Sequence, residues 1–263
     1  MFIWRKVNAN PAKNIRAGLY KCGECNSHFT VTVGTVCEGS HIKLDKWLMA
    51  FYIMCSSKTQ MSALQLRRQL EIWSYSSALF MCHRIRYALK DALPSGKLNG
   101  TVEADETYVG GKMRGKGRAY TGNKTPVVAL IERGGRVRSK VVPKVTGAAF
   151  DRLLRMQVET TANLNEFATH DTVNHSREEY TRHDKETGRL ATTSAAEGFF
   201  GNTKRSIDGI HHHTNRKHLP LYLAEFDHKY NTRGTSDRVR TVIGIQKTAR
   251  KSLMLRPPTR MAR

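Results

Sequence analysis

The chain has 263 residues, and its 44 Lys plus Arg against 22 Asp plus Glu give a formal net charge of +22. Such an excess speaks of partners rather than fold, and it points to a polyanion, with nucleic acid ahead of an anionic membrane surface. No apolar run approaches the ~18 residues of a spanning helix, and no signal-peptide pattern opens the chain, so no membrane partner is expected. The five cysteines are an odd number without a disulfide-scaffold pattern, which indicates a reducing, cytoplasmic setting.

Residues 1–20 are basic and irregular. Cys22-Gly23-Glu24-Cys25 then precedes a strand-like Phe29–Val33, which is half of a zinc ribbon. A structural zinc takes four ligands. Only Cys22 and Cys25 have the right spacing; His28 and Cys37 are irregularly placed substitutes, and a remnant knuckle with two free thiols is the alternative.

Residues 42–95 read as helical. Leu44, Trp47, Leu48, Phe51 and Cys55 form one apolar stripe. Ser62 with Gln65 is a capping box. After a break at Trp73–Ser76 comes a helix with an apolar line of Ala78, Cys82, Ile85, Leu89 and Leu93 and a second face of His83, Arg84, Arg86 and Lys90. Two helices across a tight break, the second one basic, fit a helix-turn-helix DNA reader, with a plain bundle as the alternative. Pro94-Ser95-Gly96 marks a boundary.

The sequence Val-Glu-Ala-Asp-Glu-Thr-Tyr-Val at 102–109, ended by Gly110-Gly111, reads as a strand that bunches Glu103, Asp105 and Glu106. Acids so close together repel unless a cation lies between them, and oxygen donors favour magnesium or manganese. A solvated edge strand is the alternative. A glycine-rich basic loop with Lys112, Arg114, Lys116, Arg118 and Lys124 follows and suits a phosphate backbone. Strands at Pro126–Glu132 and Val137–Val142, joined by a hairpin at Arg133-Gly134-Gly135-Arg136, lead to an amphipathic helix over Ala148–Val158. Three meandering strands and a helix open an RNase H-like domain. Such a fold next requires a strand parallel to the first, yet residues 159–170 are polar and offer none; Asp171 and Val173 lie in the next strand-like stretch. Thr193 or Ser194 starts a helix that carries Glu197 and, two turns on, Lys204. The run His211-His212-His213 diverges in direction and makes a poor metal site. Leu219, Leu223, Phe226 and Tyr230 define a further helix with Pro220 in its first turn. From Arg233 the chain is basic and ends as a loose tail.

These segments resemble the bacterial insertion-sequence transposases of the ISXO2-like group, built from a zinc ribbon, a small helical region and a DDE-type nuclease domain of RNase H-like fold. The resemblance is carried by Gly18–Cys22 through Gly34-Thr35-Val36, by Lys46-Trp47-Leu48, and by Met81-Cys82-His83-Arg84-Ile85-Arg86. It continues in Glu103–Lys112, Thr172–Ser176, Glu197-Gly198-Phe199-Phe200, Lys204-Arg205, His218-Leu219 and Glu225-Phe226. It implies an α/β protein: an RNase H-like mixed sheet with flanking helices, preceded by a partial zinc ribbon and a helix-turn-helix-like region.

The resemblance further implies Asp105 as the first catalytic carboxylate, Glu197 as the third and Lys204 as the basic residue that follows it. The second Asp and its strand have no match near 164–165, and Asp171 is the substitute candidate. The first Cys-x-x-C pair of the ribbon is also missing. The implied activity is metal-dependent cleavage and strand transfer of DNA at element ends, with magnesium or manganese held by Asp105, Glu197 and Asp171 and with zinc as a further candidate at Cys22 and Cys25. Arg84, Arg86, Lys90, Lys112, Arg114, Lys116 and Arg205 are the expected DNA contacts, and a homo-oligomer on DNA in the bacterial nucleoid is the expected assembly. Loss of the second Asp implies impaired activity and raises the alternative of a catalytically inactive DNA-binding remnant or a regulator of a related transposase. The expected divisions are 1–40, 41–96, 97–235 and a basic tail over 236–263.

Overall fold

The computed structural model describes residues 4–6, 18–91, 96–110, 122, 124–159, 181–183, 190–212 and 214–253. Asp171, Lys112, Arg114, Lys116, Leu93 and His213 therefore lie outside the described residues.

At the amino end, β1 (Trp4–Lys6), β2 (Leu19–Cys22) and β3 (His28–Thr30) form an antiparallel sheet in that order. The β2–β3 turn closes with Cys22 N–H donating to the Ser27 carbonyl at 3.0 Å, and Asn26 takes the left-handed conformation at φ 58°. Asparagine tolerates that conformation better than most residues.

Helices α1 (Leu44–Ser56), α2 (Ala63–Gln69) and α3 (Tyr75–Leu89) enclose one apolar core. The Ser62 cap is present, its hydroxyl accepting from Gln65 N–H at 3.1 Å. In α1 the buried stripe is Trp47, Ala50, Phe51, Met54 and Cys55, whereas Leu44 and Leu48 are exposed. Trp47, Phe51 and Cys55 of the expected stripe are therefore buried, and its Leu44 and Leu48 edge is replaced by Ala50 and Met54, a shift that only tertiary contact selects. From Ala78 onward helix α3 is buried nearly all round, while its first turn is exposed.

The second unit is built on β4 (Val102–Val109), β5 (Thr125–Glu132) and β6 (Val137–Val141), an antiparallel meander in that order. Strand β5 is a continuous apolar run because both of its faces are covered. Val127, Ala129 and Ile131 pack with residues of α5 (Ser194–Ser206) and α6 (Leu219–Asn231). Val128 and Leu130 pack with Leu153 of α4 (Gly147–Gln157). In the hairpin, Gly134 has φ 73°, and a Cβ on Gly135 would collide with the Glu132 carboxylate. The edge of β6 is covered by side chains of α6. Asn231 exchanges two hydrogen bonds with Val137, and Asp227 accepts from Ser139 N–H at 3.0 Å and from its hydroxyl at 2.7 Å.

After α4 the chain returns beside the start of β4. Leu98 and Val158 form a parallel bridge, with Leu98 N–H donating to Gln157 and Glu159 N–H donating to Leu98, each at 2.7 Å. This is an isolated bridge outside the named strands, and the stretch where the sequence leaves the expected parallel strand without a match continues beyond the described residues. A further hairpin pairs β7 (Thr181–His183) with β8 (Leu190–Thr192).

The carboxyl-terminal region is not a loose tail throughout. Residues Asp237–Gln246 form α7, capped by Ser236 and packed on α1 and α3. The approach is close: a Cβ on Gly244 would lie 3.1 Å from Leu89 Cδ2 and 3.2 Å from Cys55 Sγ. Among the described residues, no helix is long and apolar enough to cross a membrane.

Candidate active site

Alternation along β4 separates the three acids that the sequence bunches together. Glu103, Asp105, Thr107 and Val109 share the face toward α5, while Glu106 points the other way and is exposed. Asp105 is half-buried, and its Oδ1 accepts from the Glu106 N–H at 2.8 Å. Glu103 is buried and bound at both oxygens, by Ala195 N–H at 2.9 Å and by Arg133 Nε at 3.2 Å.

Helix α5 packs on β4 through Ala196, Phe199 and Phe200. Glu197, in its first turn, is exposed and accepts from the Thr193 hydroxyl at 3.3 Å. Lys204 is exposed on the same side two turns later. Arg205 is exposed as well, with its Nε donating to the Gly201 carbonyl at 3.2 Å. The fold thus carries Asp105 and Glu197 on two packed elements, with Lys204 and Arg205 farther along the helix. Carboxylates suit a hard divalent cation in donor type. Among the described residues no group of three His, Cys, Asp or Glu is assembled, and Asp171 lies outside them.

Cys22 and Cys25 face each other across the β2–β3 turn, and hydrogen bonds from Ser27 first, and then Cys22, hold the exposed Cys25 thiol below its ordinary range. Cys37 is buried against the helical core. The described residues therefore present two of the four ligands a structural zinc requires, and they do not fit zinc.

Two expected DNA contacts belong to the interior. Arg84 is 6% exposed, lies over the rings of Trp47 and Phe80 and donates to the Glu38 carbonyl. Arg86 is 1% exposed and pairs with Glu225 of α6 at 2.8 Å, over the Tyr222 ring. The opposite oxygen of Glu225 binds Lys229, also at 2.8 Å. Burial depresses Arg86, but the Glu225 carboxylate beside it more than offsets this and leaves its pKa raised. Neither guanidinium is presented to a phosphate backbone, because α3 is clasped between the helical core and α6. Lys90 is exposed at the end of α3. The exposed corner between α2 and α3 was not singled out from the sequence: Arg67 and Arg68 of α2, Trp73 of the link and Tyr75, Ser76 and Ser77 of the first turn of α3 reach solvent. Trp73, at 96% exposed, is the only sign of that surface visible in hindsight.

Histidines cluster where α3 meets α6. His83 stacks on His218 with ring centroids 4.7 Å apart, and His211 meets the Tyr222 ring edge and pairs with Gln60 at 3.0 Å. Burial, and then Arg86, bring both His83 and His211 down to about 4. His212 instead contacts the Asp208 carbonyl, so these neighbours do diverge.

The structure thus presents an acidic strand packed on a helix that carries a second carboxylate and trailing basic residues. The family model of the ISXO2-like transposase domain matches residues 97–231, half of the chain, and the chain belongs to that family. It is also 31% identical over 170 residues to an uncharacterized protein in the transposable element ISH50 of Halobacterium salinarum. That match covers 58% of this chain and 56% of the relative, so the chain spans little more than half of the relative's length. No solved structure matches the chain.

Proposed function

We propose that this protein cuts and joins DNA at the ends of an insertion sequence, with 97–235 as its catalytic unit. Packing of the Asp105 strand against the Glu197 helix supports this reading most directly. Asp105 and Glu197 hold magnesium or manganese, and Asp171 completes the set. Divalent ions held there would supply Lewis-acid chemistry for phosphoryl transfer, activating a water or a DNA 3′-hydroxyl and stabilising the leaving oxygen. Lys204 and Arg205 hold a phosphate near the cut. Lys112, Arg114 and Lys116, with Lys90, follow the backbone.

The DNA-reading surface moves from Arg84 and Arg86 to the corner before α3. A recognition helix reads bases with its amino-terminal residues, and these are the exposed ones, beside Arg67 and Arg68. The protein works as an oligomer on two DNA ends, in the bacterial cytoplasm.

The second reading, a DNA-binding regulator without catalysis, rests on the sequence 159–170, which contains no Asp. Metal dependence separates the two. With DNA bearing the flanking repeats, the nuclease cuts in manganese and stops in chelator while still bound. Binding without product in either condition establishes the regulator instead.

A further inference from the structure

Helix α5 begins without help from its own capping residue. Thr193 makes no side-chain capping bond, and its hydroxyl is turned to Glu197. The exposed amides of a first turn need acceptors and attract negative charge. The preceding Thr192 hydroxyl takes the Ser194 N–H at 3.2 Å, and the acceptor for the next amide comes from β4: Glu103 Oε2 receives the Ala195 N–H at 2.9 Å. The same carboxylate is held at Oε1 by Arg133 of the β5–β6 hairpin, with its side chain only 3% exposed. Glu103 stands two residues before Asp105 on one strand face, and Ala195 stands two residues before Glu197 in one helical turn. A single buried carboxylate therefore fastens the strand of one candidate ligand to the helix of the other.

We propose that Glu103 is a positioning residue that fixes Glu197 against Asp105, rather than a third acid on the metal. This rests on the reading of those two carboxylates as ligands. A charge-assisted bond to a buried carboxylate is strong and directional, whereas the Glu197–Thr193 contact is exposed and long at 3.3 Å. Without Glu103 the first turn of α5 keeps only the local Thr192 contact and loses its tie to β4, and with it the placement of Glu197 against Asp105.

The test is manganese binding by the full chain, followed by electron paramagnetic resonance, with thermal melts alongside. Glu103→Ala weakens binding by roughly 10–100-fold, the range for groups that orient a metal ligand. Glu103→Gln keeps an acceptor for Ala195 N–H and binds closer to wild type. Glu103→Asp keeps the charge but falls one methylene short, and it gives the weakened reading if the alanine variant does not fold. In a Glu197→Gln background, Glu103→Ala produces no further loss, because its effect passes through Glu197. Wild-type manganese affinity in Glu103→Ala, or a loss fully additive with Glu197→Gln, overturns the proposal and leaves Glu103 a stability residue. If Asp105→Asn and Glu197→Gln themselves leave manganese binding unchanged, the ligand reading falls, and the positioning role falls with it.

Discussion

Replacing Glu225 with alanine tests how the helical region is joined to the catalytic unit. Glu225 is fully buried, and its two oxygens take Arg86 and Lys229, each at 2.8 Å. Truncation leaves the Arg86 guanidinium, itself 1% exposed, with a Met61 carbonyl at 3.3 Å. Removing one partner of such a pair costs about 3–5 kcal/mol. In a chain of this size each kcal/mol moves the melting temperature by about 2–4 °C, so the expected fall is about 6–20 °C. The double variant Arg86→Met/Glu225→Leu recovers most of this, since a packed apolar pair of similar volume is often as stable as a buried ion pair. The assay is thermal unfolding at pH 7 followed by far-UV circular dichroism, at low and high salt. A fall below about 2 °C, or a fall that vanishes in salt, refutes the buried pair, because only exposed pairs are strongly screened. A stable Arg86→Met that loses about one unit of the salt slope of DNA binding would return Arg86 to the DNA surface.

Acid weakens the fold through its buried histidines. His83, His211 and His228 are each lowered from 6.5 to about 4, mainly by burial. Their neutral forms contribute stability that is present above pH 6.5 and lost as pH falls toward 4; urea unfolding across that window shows a decline, made shallower by His228→Gln. Asp227 acts in the opposite sense. Burial pushes it up to about 7, so its contribution is present below pH 3.8 and is lost as pH rises through 7, and Asp227→Asn gains stability relative to wild type at pH 8. Gly244→Val overpacks the seat of α7 against Leu89 and Cys55 and lowers stability by about 1–3 kcal/mol in urea unfolding. Arg67→Gln and Arg68→Gln each reduce the salt slope of DNA binding by about one, whereas folded Arg84→Gln leaves it unchanged.

What could be read in the sequence depended on how local its physical cause is. The acidic strand declares itself through alternation, and the Ser62 cap through a hydroxyl three residues before the amide it satisfies. The centre of the α1 stripe, Trp47, Phe51 and Cys55, is legible from spacing, but its edge is not: the packing of α7 and α3 buries Ala50 and Met54 and leaves Leu44 and Leu48 outside. Arg86 looked solvated because its partner lies 139 positions away. Helix α7 was taken for a tail because it seats on its neighbours through small residues, Thr241 and Gly244, and leaves Val239 and Val242 outside. Glu103 was grouped with its neighbours because adjacency along the chain hides that Glu106 faces away. That the strand of Asp105 packs on the helix of Glu197 was legible only through family resemblance, since no local pattern links residues so far apart.

The most direct measurement of the central claim is cleavage and strand transfer on labelled DNA carrying the flanking repeats, with magnesium or manganese, comparing wild type with Asp105→Asn. The account predicts a product that requires the metal and is abolished by Asp105→Asn while DNA binding persists. Cleavage that survives Asp105→Asn would remove this carboxylate from the chemistry and contradict the account.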